Sequence, residues 1–269
     1  MKGNASFMEV CTVPLVHSIH SASSKFKTVK KAFSTPIFTQ NVRINAEAKT
    51  EIRVCVNRTC RRQGSLETFQ VISGIAPPDI SVKTCGCLGS CGNGPNLLAL
   101  PGAIFVSHCG TAARAAQAVF TLCNISGNED INASAWISNS LTSLGLRKRA
   151  EDELRRDNAS EAQLLLTQAI SLKPCGGLHI VYKDRSASFL TLGKLVEALE
   201  DANKAVALAP KDTQAYLCQG DAFMGLNQFE LAEQSYIVAA ELDPPIQRSK
   251  SFKMRIAKLQ GKVEQANLL

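Results

Sequence analysis

Three proline-terminated segments recur through the second half of this 269-residue chain. They read A-I-S-L-K-P ending at Pro174, A-V-A-L-A-P ending at Pro210, and A-A-E-L-D-P ending at Pro244. The spacings are 36 and 34 residues, and an insertion around Gly176-Gly177 accounts for the extra two. Small residues keep the same register. Ala150, Ser186 and Gly220 fall in the first helix of each unit; Ala162, Ala198 and Ala232, then Ala169, Ala205 and Ala239, fall in the second. A two-helix unit of this length cannot bury its apolar face alone, whereas stacked units share one continuous core. The region is therefore restricted to an all-α helical solenoid.

These residues resemble the tetratricopeptide repeat (TPR). The resemblance implies three repeats over 142–246 (143–174, 179–210 and 213–244). A C-terminal capping helix follows over 247–269, with Phe252, Ile256, Leu259 and Val263 on one face. Concave repeat surfaces take extended peptides or partner helices, so a protein partner in the groove is expected. The second repeat, from His179 to Pro210, is similar to those of co-chaperone TPR proteins. Those proteins clamp a chaperone's terminal carboxylates with two Lys, an Arg and two Asn. The matching positions here hold Arg147, Glu151, Asp184, Gln214 and Cys218. Two of these are acids that repel a carboxylate, so the resemblance is not expected to extend to a chaperone C-terminal tail.

Ahead of the repeats, 51–123 reads as a compact α/β unit. Glu51–Val56 alternates as a strand, with Ile52, Val54 and Val56 on one face. Ser65–Ile75 has helical apolar spacing and Pro77-Pro78 ends it. Asp79–Val82 reads as a second strand. Asn96–Leu100 and Ala103–Val106 flank the Pro101-Gly102 turn as a hairpin. Alanine-rich Thr111–Leu122 closes the unit. The order β-α-β-β-β-α, with cysteines at strand ends, outlines a reduced thioredoxin-like fold. Residues 124–141 are polar and read as a linker on which Trp136, the single tryptophan, docks against one neighbour.

Ten cysteines are present, and four form two close pairs: Cys55 with Cys60, and Cys87 with Cys91. In a reducing compartment, thiolates converging from two loops hold a metal or an iron–sulfur cluster. A Cys₄ zinc site is one reading: zinc sites prefer two Cys-x₂₋₄-Cys knuckles, so Cys-x₄-Cys with Cys-x₃-Cys is possible but unusual. A thioredoxin-type Cys-x-x-Cys is absent, which argues against disulfide exchange. The stretches V-C-V-N-R-T-C-R-R-Q-G-S and C-L-G-S-C-G-N-G-P-N-L-L-A-L-P resemble the thioredoxin-like [2Fe-2S] ferredoxins. That resemblance covers about Glu51–Leu122 and implies Cys55, Cys60, Cys87 and Cys91 as cluster ligands. Cys85 lies outside the set by register and is the rival ligand. Gly86, Gly89, Gly92 and Gly94 allow a loop to wrap a cluster and aim backbone N–H groups at sulfur. Arg58, Arg61 and Arg62 either offset an anionic centre or form a solvated basic rim for an acidic redox partner.

The net charge of +7 is concentrated at the start of the chain. Residues 1–46 carry six basic residues and one acid, leaving the remainder nearly neutral and giving no sign of nucleic-acid binding. This Ser/Thr-rich, acid-poor segment has the composition of a disordered organelle transit peptide. Its Ser/Lys bias favours the chloroplast, with the mitochondrial matrix as the alternative. No apolar run is long enough to span a bilayer. No Ser/His/Asp or Cys/His catalytic constellation stands out, and His108 beside Cys109 reads as a strand-end residue, so an enzyme is not expected. The expected function is a chloroplast scaffold or assembly factor for a photosynthetic complex, with a structural or redox-sensing cluster. The alternative is a ferredoxin-like electron carrier that docks its acceptor through the repeats.

Overall fold

The computed structural model describes residues 50–122, 132–174 and 176–267. The proposed transit segment and residues 124–131 of the expected linker lie outside them.

The first region contains β1 (Glu51–Cys55), α1 (Arg58–Arg62), α2 (Ser65–Ile75), β2 (Ser81–Cys85), β3 (Leu97–Leu100), β4 (Ile104–Val106) and α3 (Ala112–Leu122). The strands form one sheet in the order β2-β1-β3-β4. β1 and β2 are parallel; the β1–β3 and β3–β4 pairs are antiparallel. Parallel neighbours need a crossover, and α2 lies within it. Ile52, Val54 and Leu97 face the helices and pack with Ile72, Ile75 and Val119. On the other face Glu51 bonds Arg53 and Lys83, each at 2.6 Å.

Two local features depart from the sequence reading. Helix α1 forms just after Cys55 and includes Cys60, and Asn57 accepts a hydrogen bond from the Arg58 N–H as N-cap. β2 starts at Ser81 rather than Asp79, because Pro77 to Ile80 closes a turn through the Ile80 N–H and the Pro77 carbonyl, 3.0 Å apart.

The larger correction concerns the expected linker at 124–141. Helix α4 (Ala133–Arg155) begins inside it. The Asn132 side chain caps α4 by accepting from the N–H groups of Ser134 and Ala135. Trp136 is buried against Phe120, with ring centroids 5.4 Å apart. Trp136 and Leu144 both join the core of the sheet region. Within this helix Ser134, Ser138 and Asn139 are exposed, while Trp136 anchors its inner side. The first half of α4 thus belongs to the sheet region, and its second half opens the repeats.

The repeats pair α4 with α5 (Ala159–Ser171), α6 (Leu178–Thr191) with α7 (Leu195–Leu208), and α8 (Thr213–Gly225) with α9 (Phe229–Leu242). A short 3-10 helix, Pro244–Arg248, leads into α10 (Lys250–Asn267). The register residues Ala150, Ala162, Ala169, Ser186, Ala198, Ala205, Ala232 and Ala239 are all fully buried at helix contacts. The Ser186 hydroxyl donates to the Ala198 carbonyl at 2.7 Å across one such contact. At Gly220 a β-carbon would stand 2.4 Å from a Tyr236 ring atom, so glycine permits that ring to pack.

Candidate functional site

Four of the sequence-singled cysteines lie at the same end of the sheet. Cys55 ends β1, Cys60 sits in α1, and Cys87 and Cys91 lie in the loop between β2 and β3. Cys55 and Cys60 are buried, whereas Cys87 and Cys91 are exposed. The Cys87 and Cys91 sulfurs are 3.5 Å apart. Cys55 adds to the upward push on the Cys60 and Cys91 thiols. Among the described residues, no three His, Cys, Asp or Glu side chains surround a single ion position.

Polar groups and one glycine, Gly94, lie against these sulfurs, whereas Gly86, Gly89 and Gly92 face open space. The Gly89 N–H points at the Cys87 sulfur from 3.4 Å and holds this thiol below its ordinary range. The Asn96 amide nitrogen is 3.8 Å from the Cys60 sulfur and also donates to the Ser90 carbonyl at 2.8 Å. Burial pushes the Cys60 thiol up, and Cys55 adds to the effect. A β-carbon on Gly94 would lie 2.6 Å from the Cys60 sulfur, so only glycine lets the loop close over it. The Gln63 amide ties α1 to this loop by donating to the Gly92 carbonyl at 3.3 Å.

Cys85 is nearer than sequence register implied, because it is the direct cross-strand partner of Cys55. Burial pushes its thiol up, with contributions from Cys55 and Cys87. Cys109 is buried, with its thiol pushed up to about 11 by burial. His108 takes a left-handed backbone conformation after β4.

The second candidate site lies along the first helices of the repeats. Arg147 and Glu151 share one face of α4, 3.7 Å apart. Across from them on α6, burial pushes Asp184 up to about 6. Lys183 pairs with Asp212 at 3.0 Å. Gln214 is exposed, whereas Cys218 is buried with its thiol pushed up to about 11. Of the five residues at clamp positions, Arg147 alone brings a cation, and Glu151 accompanies it. A cleft of about 500 Å³ opens here, walled by Arg147, Glu151 and Ile180 of the repeats and by Phe69 and Ser73 of α2. The α2 wall is a contribution that sequence reading missed.

No family model matches the chain. Over 81 residues it is 43% identical to Protein STIP1 homolog of Dictyostelium discoideum, covering 30% of this chain and 14% of that protein. Over 111 residues it is 32% identical to Hsp70-Hsp90 organising protein of Plasmodium falciparum, covering 40% and 42% respectively. Over 104 residues it is 33% identical to Heat shock protein STI1 of Saccharomyces cerevisiae, covering 39% and 18%. The chain therefore spans less than half the length of these relatives. Among solved structures it is similar to the Sgt2 TPR domain from Aspergillus fumigatus, with 27% identity and a TM-score of 0.42 over 47% of this chain and 82% of that one. The Arabidopsis OM64 TPR domain gives 26% identity and a TM-score of 0.41 over 46% and 98%. The paired helices and the relatives together support a TPR repeat domain in this chain.

Proposed function

We propose that the chain is a chloroplast [2Fe-2S] protein in which a thioredoxin-like sheet domain holds the cluster and the TPR groove holds a protein partner. In this reading it acts as a scaffold or assembly factor for a photosynthetic complex and is not an enzyme. The observation that carries the cluster is the placement of Cys55, Cys60, Cys87 and Cys91 at one sheet end, with the Cys87 and Cys91 sulfurs 3.5 Å apart and Gly94 closing over Cys60. Cys55, Cys60, Cys87 and Cys91 supply the four thiolates that such a centre takes. When bound, the cluster supplies one-electron chemistry and a crosslink between α1 and the β2–β3 loop. The Gly89 N–H and the Asn96 amide are placed to donate to sulfur, and such bonds tune the centre. Exposure of Cys87 and Cys91 favours a second reading, electron transfer, because it shortens the path to an acceptor.

Anaerobically purified full-length protein tests the cofactor. Iron and sulfide in equal amounts support it; stoichiometric zinc without sulfide overturns it. Cys87→Ser with Cys91→Ser, scored for partner binding and complementation, separates the roles. Loss of complementation with binding retained favours electron transfer.

For the groove, the relatives named as Hsp70-Hsp90 organising proteins weigh toward a chaperone ligand, whereas Glu151 and Asp184 at clamp positions weigh against an acidic tail. We favour a different protein segment. Titration of the repeats with a peptide ending in Glu-Glu-Val-Asp decides between them, and micromolar binding would overturn this choice. The chloroplast assignment rests on the composition of residues 1–46, and import of a reporter carrying that segment tests it.

A further inference from the structure

Helix α1 places Arg58, Arg61 and Arg62 in exposed positions next to the thiol end of the sheet. Their neighbourhood is set by Gln63 at the end of α1, whose amide donates to the Gly92 carbonyl in the loop bearing Cys87 and Cys91. Among the described residues, none of the three arginines is in an ion pair. Glu51 in β1 is already engaged by Arg53 and Lys83, and Glu67 in the first turn of α2 forms no ion pair with the three arginines. Three unpaired guanidinium groups therefore border an exposed sulfur pair. A solvated arginine interacts weakly with a thiolate in high dielectric, so charge neutralisation leaves most of this cationic surface unspent.

We propose that the face formed by α1 and the Cys87–Cys91 loop is a docking surface for an acidic protein. Guanidinium groups form paired bonds with surface carboxylates, and a compact positive patch steers association with a negative partner. The footprint, three arginines on a five-residue helix, suits a local acidic protein patch better than a phosphate backbone, which needs cations spread along its length. Its residues lie on elements other than the repeat helices. The arginines present this face whatever the thiols hold.

The test uses the full chain, purified anaerobically, with a plant-type ferredoxin as the acidic probe. The same ferredoxin with its carboxylates amidated is the control. At low salt the acidic probe is expected to bind, and the amidated one is not. Raising salt to physiological strength should weaken binding at least tenfold. A variant with Arg58→Gln, Arg61→Gln and Arg62→Gln should lose at least tenfold in affinity. The same positions changed to Lys should retain most of it, and Lys253→Gln with Lys258→Gln and Lys262→Gln on α10 should have no effect. Unchanged thermal unfolding of each variant excludes misfolding. No binding of the acidic probe, or equal binding by the triple Gln variant, overturns the proposal. Tighter arginine-dependent binding of a short RNA would overturn it in favour of nucleic acid. Loss of iron would bear on the cofactor and leave this result intact.

Discussion

Gly176 meets the backbone of Ile75 so closely that a β-carbon at 176 would stand 2.0 Å from the Ile75 carbonyl oxygen. Gly177 repeats the relationship with Gly74, where the corresponding distance is 2.1 Å, and its φ of +70° adds a second reason for glycine. The neighbours are backbone atoms, which cannot swing away as a side chain can. The last turn of α2 and the start of α6 are thereby joined with no side chain between them. Gly176→Ala is expected to cost about 1–3 kcal/mol or more, the range for overpacking, and to loosen the sheet region from the repeats. Urea unfolding together with limited proteolysis measures both. Gly145→Ala in exposed α4 provides the opposite sign. Its β-carbon meets nothing within 4 Å, and a mid-helix alanine gains about 0.5–1 kcal/mol.

Tyr236 anchors the capping end. Its hydroxyl donates to Asp221 at 2.8 Å, and the Arg255 guanidinium bonds both oxygens of the same carboxylate. One carboxylate thus ties α8, α9 and α10 together. Tyr236→Phe removes a single bond and should cost about 0.5–1.5 kcal/mol. Asp221→Ala strands two groups and should cost more, with faster amide exchange concentrated in α10. Exchange that quickens evenly along the repeats would count against a local tie.

Much of this architecture was legible in residues. The proline-terminated segments and the alanine register located the repeats, because close helix packing leaves room for nothing larger. Alternation around Ile52 and Val54 and the Pro101-Gly102 turn located the strands. What escaped depends on contacts between distant segments. Gly176-Gly177 read as a bare insertion, and its need for glycine is set by Ile75, about a hundred residues away. Asn132 and Trp136 sat in a polar stretch, and only Phe120 turns that tryptophan into an anchor for α4. One local signal was overlooked: Asp157, Gly193 and Asn227 all have positive φ at the turn inside each repeat. Asp, Gly and Asn are residues that tolerate this conformation. At the thiol end two close cysteine pairs stood out by spacing, but the cross-strand pairing of Cys55 with Cys85 did not.

That pairing makes Cys85 the test of the ligand set. Cys85→Ser is expected to leave iron content unchanged, and Cys87→Ser to reduce it sharply, both measured on anaerobic protein. The reverse pattern would exchange the two residues. Equal loss in both would mean that the Cys85 position supports the fold of this end.

Asp184 carries a pH dependence that can be worked out in sign. Burial raises its pKa to about 6, above the value of about 4 in an unfolded chain. Arg147 and Glu151 on α4, Lys183 on α6 and Cys218 on α8 are the ionisable groups that act on it or feel it. The folded protein therefore holds this proton more tightly than the unfolded chain does. Below pH 4 both states are protonated and no cost arises. Between pH 4 and 6 the unfolded chain ionises first, so stability falls as pH rises, and above 6 the cost is complete. A shift of this size corresponds to at most about 3 kcal/mol, less for whatever water reaches the carboxylate. Asp184→Asn keeps the shape and removes the charge. It should stabilise the protein at pH 7.5, and the gain should vanish by pH 4 in a urea unfolding series. A gain that persists at pH 4 would assign the effect to packing, and no gain at pH 7.5 would mean that Arg147 and Lys183 already compensate the carboxylate.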